Sequence, residues 1–92
     1  MIDVDHSYEL DPRVALRPER FGALAYHYGT RRLVFIKTSL LTVLEHLPSS
    51  TSLEAAFEHA GIPRGRWAAF VQALTSLEES GVVRAKVVAT HG

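Results

Sequence analysis

The sequence predicts an α+β fold: an N-terminal three-stranded antiparallel sheet followed by a three-helix bundle. Residues 13–17 alternate with period two, and residues 26–36 hold two runs rich in β-branched and aromatic residues. From Lys37 onward the apolar positions recur every three or four residues, the period of a helix with one buried face. Strands therefore come first and helices after them, the order of an α+β domain.

Ninety-two residues make one domain with a modest core. An apolar fraction of 47% and a charged fraction of 22% are those of an ordinary globular chain, which excludes disorder and fibre. Ten Lys and Arg balance ten Asp and Glu, so no net field draws the molecule to nucleic acid or to an anionic membrane. The balance is uneven along the chain. Residues 1–12 carry Asp3, Asp5, Glu9 and Asp11 without a Lys or Arg; residues 13–37 carry five Arg and Lys37 against Glu19. There is no cysteine, which rules out a disulfide scaffold, a thiolate nucleophile and a thiolate metal centre. The acidic start lacks the apolar core of a signal peptide, and the longest apolar run, Trp67 to Val71, falls far short of the ~20 residues of a membrane span. A cytoplasmic protein is the expectation.

Residues 1–12 end in Asp11-Pro12, a turn signal, and are expected to form a flexible acidic lead-in to a domain over 13–89. Arg13 to Arg17 alternates, with Val14 and Leu16 on one face, and Pro18 stops that strand. Tyr26 to Ile36 reads as a hairpin about Gly29-Thr30, a pair suited to a type II′ turn. This register sets Tyr26 opposite Leu33 and Leu24 opposite Phe35. Those four form a strongly apolar face expected to pack on the helices. Ala23, Ala25, His27, Arg32, Val34 and Ile36 lie on the other, freer face. Thr38 or Ser39 caps a first helix with Leu40, Leu41, Leu44 and Leu47 apolar, ended by Pro48-Ser49-Ser50. Thr51 and Glu54 have the spacing of a capping box; the helix after them buries Leu53, Ala56, Phe57 and Ala60 and stops at Gly61. Pro63 marks the start of a third helix over Arg64–Ser80, striped by Trp67, Phe70, Val71, Leu74 and Leu77 and closed by Gly81. Val82 to Ala89 suits a short extended segment, and the last residues are expected to fray.

Catalytic chemistry is missing. No Gly-rich phosphate loop, Gly-x-Ser-x-Gly elbow or His-Glu-x-x-His helix is present. The five histidines are scattered, and surface or helix-end roles account for them better than a metal site does. Glu78 and Glu79, adjacent on a helix, point apart and cannot work as an acid–base pair. No enzyme, cofactor or metal site is expected.

Two binding readings remain. The helix pair around Gly61, with flanking strands, resembles a winged helix-turn-helix whose recognition helix starts at Arg64-Gly65-Arg66-Trp67. Zero net charge speaks against it, since DNA affinity rests on neutralising phosphates. The other reading is a peptide-binding module: strand Arg32–Ile36 accepts an extended peptide as a fourth strand, with side-chain pockets between that strand and the third helix.

The order of elements, Lys37-Thr38-Ser39 opening the first helix and Leu77-Glu78-Glu79-Ser80-Gly81-Val82-Val83 closing the last, resembles the PqqD-like family. These are precursor-peptide recognition elements of ribosomally made, modified peptides, with a winged-helix-like fold. The stretch from Arg17 to Gly29 with Arg31-Arg32-Leu33 is similar to one branch of that family, the small chaperones of mycofactocin biosynthesis; the likeness covers about residues 8–85. The resemblance implies a non-catalytic chaperone. It binds the leader of a short precursor and presents the C-terminal tail to a radical S-adenosylmethionine maturase, which acts on a terminal Val-Tyr. Acidic leaders, common for such precursors, suit the basic 13–37 segment. Carried over by position, the peptide site falls on Arg32, Leu33, Val34, Phe35 and Ile36 of the strand and on Arg66, Trp67, Phe70, Val71 and Leu74 of the helix. Pro48-Ser49-Ser50 departs from the Asp-Gly that many relatives carry after the first helix.

Overall fold

The computed structural model describes residues 2–86. Its strands are β1 (Tyr8–Leu10), β2 (Val14–Glu19), β3 (Gly22–His27), β4 (Leu33–Lys37) and β5 (Val83–Ala85). Its α-helices are α1 (Thr38–His46), α2 (Leu53–His59) and α3 (Trp67–Glu79). Strands β2, β3 and β4 form an antiparallel sheet in that order, and three helices follow: the α+β fold expected from the sequence. A separate ribbon pairs β1 with β5, Tyr8 opposite Ala85 and Leu10 opposite Val83.

The hairpin register is as expected, with Leu24 opposite Phe35 and Tyr26 opposite Leu33. Its loop is not a two-residue type II′ turn. The positive φ falls on Arg31, at 61°, and the His27 carbonyl accepts from the Arg31 N–H at 2.7 Å, so the loop runs over Tyr28–Arg31. The His27 imidazole makes this loop possible. Its Nδ1 accepts from the N–H groups of both Gly29 and Thr30 at 3.0 Å, which fixes the proton of the neutral ring on Nε2. His27 is thus an interior residue and not the surface histidine expected.

The faces of the hairpin are the reverse of the expectation. Ala23, Ala25, His27 and Ile36 are buried, whereas Leu33 and Phe35 are exposed and Leu24 and Tyr26 only half-buried. The cause is the approach of α1, whose buried Val43 and Leu44 join Ala25 and Ile36 in one cluster. Small side chains let a helix lie close to the sheet; large aromatics there would overfill the space. Leu47, Leu53, Phe57, Leu74 and Val83 complete the core, each worth about 1.5–3 kcal/mol by transfer from water.

Gly22 opens β3 with φ at 143°, and a Cβ there would lie 2.0 Å from the Ile36 carbonyl oxygen, so glycine is required. Both later helices end in a Schellman motif. Ile62 N–H donates to Phe57 O and Val82 N–H to Leu77 O, with Gly61 and Gly81 at positive φ.

Residues 2–12 are not a loose lead-in. Ile2 and Tyr8 are buried, and the Tyr8 hydroxyl accepts from Asp3 N–H at 2.7 Å. The carbonyls of His6 and Val4 accept from Leu53 and Glu54 N–H, filling two free donors at the start of α2. Apolar residues spaced among the acids anchor the segment, a signal that its charge concealed.

Two caps and one helix start also differ. Helix α1 starts after an extended Lys37 without a side-chain cap from Thr38 or Ser39. Ser52, not Thr51, caps α2 by accepting from Ala55 N–H, and Glu54 turns instead to Arg64 at 3.1 Å. The expected third helix divides into a 3₁₀ turn over Arg64–Arg66 and then α3. Of the extended segment expected over Val82–Ala89, Val83–Ala85 pairs with β1, while 87–89 and the fraying end lie outside the described residues. Among the described residues no group of three or more His, Asp or Glu could hold a metal ion, and no helix is long and apolar enough to cross a membrane.

Candidate peptide-docking groove

Hydrogen-bond alternation decides which backbone groups of the sheet are free. His27 N–H donates to Arg32 O, and Thr38 N–H to Phe21 O, on the β4 side of β3; Tyr28 N–H donates to Arg13 O on the β2 side. In an antiparallel pair such bonds recur at every second residue. Val34 and Ile36 therefore turn their N–H and C=O groups to β3, and Leu33 and Phe35 turn theirs outward. The outward groups of β4 form an open edge.

The opposite edge is blunted. Of the three outward positions of β2, Val14 N–H is held by Asp11 O at 2.9 Å and Pro18 has no N–H, which leaves Leu16 as the single outward donor against the successive ones of β4. An extended guest thus finds outward donors at β4.

Beside that edge runs a groove of about 390 Å³ between β4, the start of α1 and α3. Val34, Phe35 and Leu40 line one side, and Ala69, Phe70, Ala73 and Leu77 of α3 line the other. Its lining is mostly apolar. Lys37 and Arg66 are its charged members, and both are cations. Such a trough fits apolar side chains at every second position of a strand whose remaining residues include carboxylates.

The structure brings together Val34, Phe35, Arg66 and Phe70 from the sequence-derived set. Ile36 and Leu74 are core residues beneath the groove, and Arg32 is exposed at the loop end of β4. Leu33 is 62% exposed, on the sheet face away from the helices, while its backbone faces the open edge. Trp67 faces α2: its ring lies 5.2 Å from that of Phe57, and its Nε1 donates to Ile62 O at 2.9 Å. Val71 lines a shallower depression beside Ile2. Reading the sequence missed Lys37, Leu40, Ala69 and Ala73. Alanines on a helix leave no signature except the space they do not fill.

The basic turn that leads into α3 is partly engaged. Arg64 bonds Glu54 at 3.1 Å and lies 4.5 Å above the Trp67 ring. At the foot of the hairpin, the Arg13 guanidinium and backbone N–H donate to Asp11 and lower its pKa from 3.8 to about 2. The His27 Nε2 lies 3.9 Å from the same carboxylate, so Asp11 stands between the start of β2 and the end of β3.

Residues 7–84 match the model of the peptide chaperone MftB family. The chain is 39% identical over 79 residues to a protein named peptide chaperone MftB from Mycobacterium ulcerans, covering 85% of this chain and 72% of that one. It is 38% identical over 82 residues to proteins of the same name from Mycobacterium tuberculosis and Mycolicibacterium smegmatis. These alignments cover 88% of this chain and 75% and 80% of theirs. No solved structure matches the chain.

Proposed function

The chain belongs to the peptide chaperone MftB family, and we propose that it is a non-catalytic cytoplasmic escort for a short ribosomal precursor peptide. The leader of that peptide adds as a fourth strand along β4, with Leu33 and Phe35 giving the backbone hydrogen bonds. Its alternate side chains enter the groove against Phe70, and carboxylates of the leader meet Lys37 and Arg66. Trp67, Val71 and Leu74 set the position of α3 behind the groove. The bound precursor then passes to a radical S-adenosylmethionine maturase in mycofactocin biosynthesis.

The observation that carries this reading is an open β4 edge flanked by an apolar, cation-lined groove. A few backbone hydrogen bonds at about 0.5–1.5 kcal/mol each are too weak alone. Apolar burial at about 25 cal/mol per Å² supplies the remainder, for a Kd near micromolar, about −8 kcal/mol. The test is a titration with a labelled precursor leader and, separately, duplex DNA. Low-micromolar leader binding with no DNA binding is expected. Binding of DNA alone would favour the helix-turn-helix reading.

Proline substitution probes the edge. Leu33→Pro removes an outward N–H at a position where an edge strand tolerates proline. It is expected to weaken leader binding tenfold or more while the fold persists. Val34→Pro instead breaks a bond to β3 and damages the sheet itself.

A further inference from the structure

The face of the β2-β3-β4 sheet turned away from the helices collects the exposed large apolar residues of the described chain. Tyr28 is 65% exposed, Leu33 62%, Phe35 49% and Phe21 45%. The rings of Phe21 and Phe35 lie 4.4 Å apart, and Tyr26 and Tyr28 meet edge to face at 5.0 Å. Contiguous exposed aromatics on a small domain mark an interaction surface. Exposed Arg17 shares this face opposite Leu24, exposed Arg20 and Arg31 stand in the turns that carry Phe21 and Tyr28, and Glu19 is tied to Arg17 at 3.3 Å.

We propose that this face is a second docking surface, which adjoins the groove at Phe35 and extends from there over β3 and β2, for a folded protein whose contact patch is apolar at the centre and rich in carboxylates at the rim. The proposal rests on the peptide-escort reading, under which that protein is the maturase receiving the precursor. An escort must meet its recipient while its groove is filled, and a strand added in the plane of the sheet leaves the face of β2 and β3 open. Charge selects the partner. Two-fold self-pairing would set the same arginine-ringed face against itself, whereas an acidic rim complements it.

The test uses two variants outside the peptide site, Arg20→Glu and the double variant Arg17→Glu with Tyr28→Ser. Affinity for the purified maturase and for the labelled leader is measured separately, with thermal melts as the fold control. The double variant is expected to bind the maturase at least tenfold more weakly and Arg20→Glu at least threefold, with leader affinity held within twofold. Maturase affinity within twofold of wild type for the double variant overturns the proposal, and so does an equal loss of leader binding, which would make the face part of the peptide site. Sedimentation velocity and flotation with phosphatidylserine vesicles complete it. Self-association or vesicle binding lost in the variants, with maturase binding intact, overturns the proposal in favour of a second copy or a membrane. A wild-type protein that binds leader but no maturase sinks this proposal alone; one that binds no leader sinks the escort reading.

Discussion

The two faces of the β2-β3-β4 sheet are both apolar, and they differ in size. The covered face carries Ala23 and Ala25 beside Ile36; the uncovered one carries Leu24, Tyr26, Leu33 and Phe35, with Phe21 and Tyr28 at its border. Burial in this domain goes to the residues that let α1 come close, and the larger side chains are left outside. Hydrophobicity alone does not place a residue in a core; fit to the covering element does. The uncovered face is the surface proposed above to meet a partner.

That contrast can be broken most sharply at Ala25. Ala25→Leu forces three extra carbons under α1 and is expected to cost about 2–3 kcal/mol in a urea unfolding curve. A cost below about 0.5 kcal/mol would mean that the inner face is not tightly packed. His27→Ala comes next, at about 1–2 kcal/mol, because it removes the acceptor for Gly29 and Thr30 N–H on that same inner side. The loss is expected as faster amide exchange across Tyr28–Arg31.

Asp11 offers a pH probe of the same side. The folded chain keeps this carboxylate ionised down to about 2, while the unfolded chain protonates it near 3.8. Its contribution is therefore full above about pH 4 and is lost as pH falls toward 2. Asp11→Asn is expected to flatten that part of the stability profile, measured by urea unfolding from pH 5 to pH 2. Leu33→Ser on the outer face should be smallest, within about 0.5 kcal/mol of wild type. If it costs as much as Ala25→Leu, the outer face is buried and the contrast fails.

The sequence made the strands, their register and three helices legible because each rests on local spacing: alternation, a turn near Gly29, glycine stops at 61 and 81. Period two separates the faces of a strand but cannot say which face a helix covers, and here the more apolar face was the wrong choice. Ribbon β1–β5 joins two three-residue strands from opposite ends of the described chain, too short for a pattern. The buried His27 was hidden because its partners are backbone amides. For the groove, Val34, Phe35, Arg66 and Phe70 were legible through the family resemblance. Lys37 and the alanines of α3 needed the three-dimensional arrangement of strand and helix.

The direct test of strand addition at β4 is amide hydrogen exchange, residue by residue, with and without saturating precursor leader. Leu33 and Phe35, whose N–H groups face the open edge, are expected to become protected at least tenfold on binding. Val34 and Ile36, already bonded to β3, are expected to change little. Bound leader that leaves Leu33 and Phe35 exchanging as in the free protein, with protection confined to Arg64–Trp67, would contradict the β4 docking strand.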